Sequence, residues 1–351
     1  MPLPSQAGRK NETASVVSYS RLAESESASM KKIRLGRSDV RVSVLCLGTD
    51  LVGSRIDYTT SCGLLDLFAE KGGAFIDTGN FYASWLPGCR GGESETAIGS
   101  WLKERGLRNS MVISTKLGFD YPGCEGGLSA AEIERECEKS LRRLQTDRID
   151  LYQAHRDDPR TPVEETMEAF DRLIRAGKVR AIGASNLPVW RIAEANTVCR
   201  LSGWSAYCAV EQRHTYLRPR HGAGFGPQIL INEDLKAYCR RESMTLIGYS
   251  VLLQGAYTRP DRQIPAQYAG PDAAERLEAL KVVAAETGAT PNQVIIAWML
   301  QSDPPVLPIV AGSRPEQLAE NIASLRIELS ADQIRRLDTA GAPDVKQAWL
   351  R

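Results

Sequence analysis

Two hydrophobic patterns alternate along the chain. Short apolar or β-branched runs fall at 44–47, 74–76, 111–115, 150–154, 179–182, 207–211, 245–249 and 306–310, each of strand length and bounded by turn residues. Between and after them lie longer stretches, 62–71, 93–105, 130–143, 163–176, 188–200, 231–242, 273–287 and 314–323. Their apolar residues recur three and four positions apart, the spacing of one helix face. Start signals sharpen several of these. Ser129 stands three residues before Glu132, as in a capping box, Pro162 precedes the helix at 163, and Asn186-Leu-Pro188 opens another. Further helices are expected at 291–301 and, at the carboxy-terminal end, at 330–340.

Eight strand–helix pairs in unbroken rhythm predict a closed (β/α)8 TIM barrel over an open, doubly wound sheet. An open dinucleotide-binding sheet would carry G-x-G-x-x-G after its first strand, and nothing of that form follows 44–47. The cluster Gly222-Ala-Gly224-Phe-Gly226 falls in a long loop after the sixth strand, where it reads as loop flexibility. Segments 32–35 and 40–42 flank Gly36-Arg-Ser-Asp39 and predict a small amino-terminal hairpin ahead of the barrel. Residues 1–29, rich in Ser, Ala and Glu, are expected to be a disordered extension, with Met30 an alternative start. Residues 30–351 are then a single barrel domain with an additional carboxy-terminal helix. The extension has no secretory apolar stretch, and Glu12, Glu24 and Glu26 argue against a transit peptide, so the sequon Asn11-Glu-Thr13 has no route to glycosylation.

Composition narrows the function classes. With 351 residues, a net charge of +1, 42% hydrophobic and 25% charged residues, the balance is that of an ordinary globular protein. Near-neutral charge gives no reason to expect nucleic acid or membrane as partner, and no apolar run approaches the roughly 20 residues that span a bilayer. Eight cysteines without a C-x-x-C pair suit free thiols in a reducing compartment, so a cytoplasmic location is expected. The histidines are His155, His214 and His221, the last two in a loop without Cys or carboxylate at ligand spacing, so no metal is expected.

In a barrel the carboxyl ends of the strands converge on one face, which is where chemistry is held. The stretch Gly73-Gly-Ala-Phe-Ile-Asp77-Thr-Gly-Asn-Phe-Tyr82 reads as a buried strand running into a polar turn, and it delivers Asp77 and Tyr82 there. The first strand ends in Gly48-Thr49-Asp50, the third in Lys116 and the fourth in His155. The fifth to eighth end in Ser185-Asn186, Gln212, Tyr249-Ser250 and Gly312-Ser313-Arg314. Singly, each has a bland reading: a turn-forming Asp, a rim Tyr, a surface Lys, a satisfied core imidazole. Together, every strand delivers a polar group to the same mouth.

Over roughly residues 31–340 the chain resembles the aldo-keto reductases. The matching pieces are Phe75-Ile-Asp77-Thr-Gly-Asn-Phe-Tyr82, Ser114-Thr-Lys116, Asp150-Leu-Tyr-Gln-Ala-His155, Ile182-Gly-Ala-Ser-Asn186, Gly248-Tyr-Ser250 and Gly312-Ser-Arg314 with Gln317 to Asn321. The resemblance implies a catalytic tetrad of Asp77, Tyr82, Lys116 and His155 that reduces an aldehyde, ketone or sugar carbonyl with NADPH, or runs the reverse oxidation with NADP+. Those residue types suit the chemistry, because hydride addition to a carbonyl leaves an alkoxide that needs a proton and a stabilising dipole. A lysine cation at about 4 Å, at an effective dielectric of about 20, favours a phenolate by on the order of 4 kcal/mol, or up to roughly three pKa units. Lys116 is therefore expected to lower the pKa of Tyr82, with Asp77 holding Lys116 charged and His155 beside the carbonyl oxygen.

By the same resemblance Ser185, Asn186 and Gln212 would bond the nicotinamide carboxamide and Tyr249 would stack on the ring. Thr49 and Asp50 would border its ribose, and Ser250, Leu252 and Gln254 would line the pyrophosphate path. Gly312, Ser313, Arg314, Gln317, Glu320 and Asn321 would hold the adenosine end, with Arg314 facing a 2′-phosphate and so selecting NADPH over NADH. The chain departs from the family pattern at Tyr249-Ser-Val-Leu-Leu-Gln-Gly255, where Ser-Pro-Leu-Gly is commoner, and in the long segment Ser84-Trp-Leu-Pro-Gly-Cys-Arg-Gly-Gly92. There Trp85 either lines a substrate pocket or anchors the loop under the rim. Loops 213–229 and 255–272 are expected to close over cofactor or to pack against another copy in a homo-oligomer. A different class of function is a regulatory subunit that senses NADPH, as relatives of this fold that serve as channel β subunits do. A metal- or phosphate-dependent barrel hydrolase would need a ligand cluster that the strand ends do not supply.

Overall fold

The computed structural model describes residues 30–342; the expected extension at 1–29, with its sequon, and the last residues of the expected domain, 343–351, lie outside them. The chain opens with an antiparallel hairpin, β1 (Lys32–Arg34) and β2 (Arg41–Ser43), in which Ile33 faces Val42. Eight further strands follow: β3 (Cys46–Gly48), β4 (Phe75–Asp77), β5 (Val112–Leu117), β6 (Ile149–Ala154), β7 (Val179–Ser185), β8 (Ala209–Arg213), β9 (Thr245–Tyr249) and β10 (Val306–Val310). All pair in parallel, and β10 bonds to both β9 and β3, so the sheet closes on itself as the expected barrel.

The surrounding helices are α1 (Tyr58–Glu70), α2 (Glu93–Arg105), α3 (Ala130–Leu144), α4 (Val163–Arg175), α5 (Val189–Ser202), α6 (Glu233–Glu242), α7 (Ala273–Thr287), α8 (Pro291–Gln301), α9 (Pro315–Ala323) and α10 (Ala331–Thr339). One start and one cap differ from expectation for local reasons. Helix α1 begins before 62 because Asp57 caps it, accepting from the Thr60 amide at 3.0 Å. At Ser129 only half a capping box forms: its hydroxyl accepts from the Glu132 amide at 3.4 Å, but the Glu132 carboxylate turns to Cys124 and Arg135. Complete boxes occur instead at Thr290/Gln293 and Ser330/Gln333. No helix among the described residues is long and apolar enough to cross a membrane.

The barrel interior is layered by the two-residue period of its strands. Its lower part is apolar, built from Cys46, Phe75, Leu151, Ala209, Ile247 and Leu307 and sealed from below by Leu35, Val40 and Val42 of the hairpin. The hairpin turn must come close: at Gly36, φ +53°, a Cβ would stand 2.1 Å from the Cys208 carbonyl oxygen, so no side chain fits. Two residues further along several of the same strands the interior turns polar. Asp77, Ser114, Lys116, Gln153 and Glu211 are all buried there, with Asp77 paired to Ser114 and Lys116 to Gln153 in the ladder. The opposite strand faces, including Ile76, Ile113, Tyr152, Val210 and Leu246, pack against helix residues such as Phe68, Trp101, Leu141 and Phe170. Each such buried side chain contributes about 1.5–3 kcal/mol, and together they form the rigid shell within which a polar layer can be held.

Candidate active site

Strand β4 ends at Asp77, and the turn after it brings Tyr82 back over the strand end, the Tyr82 amide donating to the Gly79 carbonyl at 3.1 Å. Gly79 permits that fold, because a Cβ there would stand 3.0 Å from the Tyr82 ring. Lys116, near the end of β5 and 0% exposed, points into the same space. Its ammonium donates to Asp77 Oδ2 at 2.5 Å, to the Tyr82 hydroxyl at 2.9 Å and to the Thr78 carbonyl at 3.0 Å. The Tyr82 hydroxyl donates in turn to Asp77 Oδ2 at 3.0 Å, and Ser114 Oγ donates to Asp77 Oδ1 at 2.9 Å. Acid, phenol and cation thus touch pairwise, which fully desolvated ions require.

His155 follows β6, its backbone amide bonded to the Leu117 carbonyl at 2.7 Å and its ring centroid 6.0 Å from that of Tyr82. Its Nδ1 is buried without a partner. Burial, then the charges of Lys116 and Arg156, push its pKa well below the usual imidazole value, so the ring is neutral and keeps a single N–H to donate.

The charge balance differs from expectation at Tyr82. Its pKa is raised well above that of a free phenol, first by burial, then by the negative charges of Asp77, Glu211 and Asp50 and by the hydrogen bond it donates to Asp77. One lysine faces more than one acid here, so among protein groups alone the phenol is held protonated, where the lysine alone would have favoured the phenolate. The acid left out of the expectation is Glu211, on β8, whose Oε1 lies 3.4 Å from Lys116 Nζ. A glutamate in the apolar run 207–211, on the inward register shared with Ala209, was the available signal.

The residues expected around a nicotinamide lie together. Tyr249 donates from its hydroxyl to Asn186 Oδ1 at 2.6 Å, and Asn186 Nδ2 donates to Ser185 Oγ at 3.1 Å and to the His155 carbonyl at 3.0 Å. Asn186 sits at φ +56°, a left-handed turn that aims its amide back across the strand end. Gln212 donates to the Leu187 carbonyl at 2.6 Å, while its Oε1 is buried with no partner. Thr49 is committed inward, donating to the Asp77 carbonyl at 2.7 Å and sharing a hydrogen with Ser94 Oγ at 2.8 Å, whereas Asp50 is exposed at the mouth.

Because β10 lies between β9 and β3, Gly312, Ser313 and Arg314 emerge beside Tyr249 and Ser250 on one side and Thr49 and Asp50 on the other. Arg314 caps α9 and forms no ion pair among the described residues. Gln317 Oε1 accepts from the amide and hydroxyl of Ser313, at 2.9 and 3.2 Å, and Asn321 Nδ2 donates to the Ala311 carbonyl at 3.1 Å. Glu320 is engaged elsewhere, accepting from Thr290 Oγ1 at 2.7 Å. In the departed segment Leu252 is half-buried and Gln254 exposed at φ +57°.

Sequence reading passed over Arg213, at the end of β8. Its guanidinium bonds the Tyr268 hydroxyl at 2.8 Å, Gln228 Oε1 at 2.7 Å and Ser250 Oγ at 3.3 Å, and so ties loop 213–229 to loop 255–272. Those loops pack on each other through Leu217, Leu253 and Tyr268.

An aromatic wall adjoins the phenol. Phe81 packs on Phe119 at 4.8 Å, on Trp85 at 5.0 Å and on His155 at 5.4 Å between ring centroids, and Phe119 meets the His155 ring at 4.8 Å. Trp85 is 49% exposed, its ring centroid 5.0 Å from that of Phe81 and 6.2 Å from that of Tyr82. A separate group, Cys124, Glu132 and Glu136, brings ligand-type atoms together beside a cleft of about 780 Å3. Its carboxylates are already taken by Cys124, Arg135, Asn80, Tyr121 and Lys139, two of them cations.

Comparison with known proteins agrees with this arrangement. The sequence pattern of the aldo/keto reductase family matches residues 44–342. The chain is 32% identical over 333 residues to a norsolorinic acid reductase of Aspergillus flavus, covering 90% of this chain and 81% of that one. It is 30% identical to an aryl-alcohol dehydrogenase of Pestalotiopsis microspora, over 86% of this chain and 79% of the relative. It is also 32% identical to an uncharacterized oxidoreductase, YrpG, of Bacillus subtilis, over 88% and 95%. The closed eight-stranded barrel and the match along nearly its whole length place the chain in the aldo/keto reductase family.

Proposed function

We propose that this chain is an NADPH-dependent reductase of aromatic carbonyl compounds, or the corresponding alcohol dehydrogenase in reverse. The observation that carries the reading is the mutual contact of Asp77, Lys116 and Tyr82 beside a neutral His155. The fit of a nicotinamide cofactor rests on two buried atoms without a partner among the described residues, His155 Nδ1 and Gln212 Oε1, on the Tyr249 ring close to Asn186, and on Arg314, which has no ion pair among those residues, beside a helix amino terminus. Bound NADPH would supply a hydride to the carbonyl carbon. Tyr82 donates its hydroxyl proton to the carbonyl oxygen as the C–O π bond breaks, leaving a phenolate that regains a proton from water. Lys116 donates a hydrogen bond to that phenolate, Asp77 keeps Lys116 charged and aimed, and the single N–H of His155 orients the carbonyl oxygen.

The wall of Phe81, Trp85 and Phe119 favours a flat aromatic substrate, and Arg156, 4.9 Å above the Phe119 ring and paired with the exposed Asp120 at 3.7 Å, would exchange that partner for an acidic substituent. The names of the norsolorinic acid reductase and aryl-alcohol dehydrogenase relatives point the same way. The test is single-turnover oxidation of enzyme-bound NADPH by a panel of aryl aldehydes, aryl ketones and sugars. Aryl carbonyls should consume the cofactor, and Tyr82→Phe should slow that step by about 10²–10⁴-fold while retaining NADPH binding. Binding of NADPH without consumption by any carbonyl would replace this reading with that of a cofactor-sensing subunit.

A further inference from the structure

Glu211 has no task in the reaction just described, yet it is 2% exposed and built into the same cluster. Its Oε1 stands 3.4 Å from Lys116 Nζ, and its Oε2 accepts from Gln153 Nε2 at 2.7 Å. That same nitrogen donates to Ser114 Oγ at 2.9 Å, and Ser114 donates to Asp77 Oδ1 at 2.9 Å. Two carboxylates are thus joined twice, once across the ammonium of Lys116 and once through the Gln153–Ser114 relay. Gly183 leaves the room this needs, since a Cβ there would stand 3.0 Å from Gln153 Oε1.

The groups facing Glu211 come from five strands across and beside it: Asp77 from β4, Lys116 from β5, Cys46 from β3, Gln153 from β6 and Tyr249 from β9, while β7 leaves room with Gly183. Burial raises the Cys46 thiol and the Tyr249 phenol, so both are neutral. Arg213, further along β8, is turned to Tyr268 and Gln228. Asp77 and Lys116 therefore dominate the charge that Glu211 meets. With both carboxylates ionised the cluster carries a surplus negative charge before Tyr82 reacts and a second one after it gives up its proton. With Glu211 protonated the cluster is neutral before the transfer and singly charged after it, which a buried site tolerates far better.

We propose, resting on the reductase reading, that Glu211 is a positioning residue of the proton-transfer step: it shares the Lys116 ammonium with Asp77, and its protonation state decides how much of that cation is available to the Tyr82 phenolate. Burial first, then the charge of Asp77, pushes Glu211 up to about 8, so it holds a proton near neutrality and loses it as pH rises. The reductive kcat therefore falls on the alkaline side.

The experiment is the pH profile of reductive kcat at saturating NADPH for the wild type, Glu211→Gln and Glu211→Asp. The wild type should lose about tenfold between pH ~7 and ~9.5, Glu211→Gln should lose that limb without a change in KM for NADPH, and Glu211→Asp should keep it. A wild-type limb that persists in Glu211→Gln overturns the role of Glu211 alone. A wild-type protein that reduces no carbonyl overturns the reductase reading first. Should Glu211→Gln fail to fold, carboxyl-carbon NMR of the glutamate-labelled wild type, assigned with Glu211→Asp, decides: a glutamate titrating near pH ~8 supports the proposal, and none titrating between about 6 and 10 overturns it.

Discussion

Replacing Lys116 by Met removes the one charge that holds the buried acids and the phenol together, while leaving a side chain of similar length. At 2.9 Å and an effective dielectric of about 20, the ammonium favours a Tyr82 phenolate by about 6 kcal/mol. That full sum is not expected in kcat. Asp77 lies 3.0 Å from the same hydroxyl and opposes the lysine with a term of similar size. The net loss expected for Lys116→Met is therefore about 10²–10³-fold in kcat, the scale of removing one preorganised donor, with the dissociation constant for NADPH nearly unchanged.

Stability separates this account from simple unfolding. In Lys116→Met the buried Glu211 carboxyl loses the cation that lowers its pKa, so its folded pKa rises further above that of the unfolded chain. A group with a raised folded pKa contributes stability that is present below its unfolded pKa and is lost as pH rises through the folded one. The melting temperature of the variant should thus fall further below wild type at pH ~8 than at pH ~5, with a loss of up to about 3–5 kcal/mol once a carboxylate is left buried without its cation. Single-turnover rates and thermal melts on one preparation provide both readings. A folded Lys116→Met enzyme within tenfold of wild-type kcat would refute the reasoning, as would a defect confined to NADPH affinity.

Two further outcomes test the outer parts of the site. Arg314→Ala should weaken NADPH by about tenfold or more and leave NADH unchanged, since its guanidinium has no acid partner to lose among the described residues; an unaltered ratio of the two dissociation constants removes it from the 2′-phosphate. Trp85→Ala should raise KM for an aryl ketone by about tenfold without altering NADPH affinity or the rate with a small aliphatic aldehyde, and an equal loss with both substrates would return Trp85 to loop anchoring.

The fold was legible because its signal is periodic: each of the eight expected barrel strands is present, and β9 and β10 coincide with their expected spans. The start of α1 moved because Asp57 caps it, whereas α3 begins at Ala130 as expected even though Glu132 pairs with Arg135 and Cys124 instead of closing the box. Within the site, Asp77, Tyr82, Lys116 and His155 could be expected to meet because each ends a strand or follows one. Glu211 and Gln153 share the layer of Asp77 and Lys116 but stand inside the expected strand runs instead of just after them, where a polar residue in an apolar run looks like noise until the barrel closes on it. Arg213 was missed because its partners, Gln228 and Tyr268, belong to loops whose paths no local pattern specifies.

The error at Tyr82 shows what pairwise reasoning leaves out. A lysine beside a phenol lowers its pKa, and contact between the two is as close as that argument requires. The direction reverses because a buried lysine is itself tolerated only with acids around it, and those acids face the phenol too. Any barrel that buries a cation within reach of a reacting hydroxyl meets the same conflict: the counter-ions that stabilise the cation oppose the anion that the reaction creates. Two exits exist, an acid that can be neutralised in place or a charge brought in by a ligand. The buried Glu211 supplies the first, and on the proposed reading a cofactor ring over Tyr249 would bear on the second, so that this cluster would keep Tyr82 a proton donor until substrate and cofactor are bound.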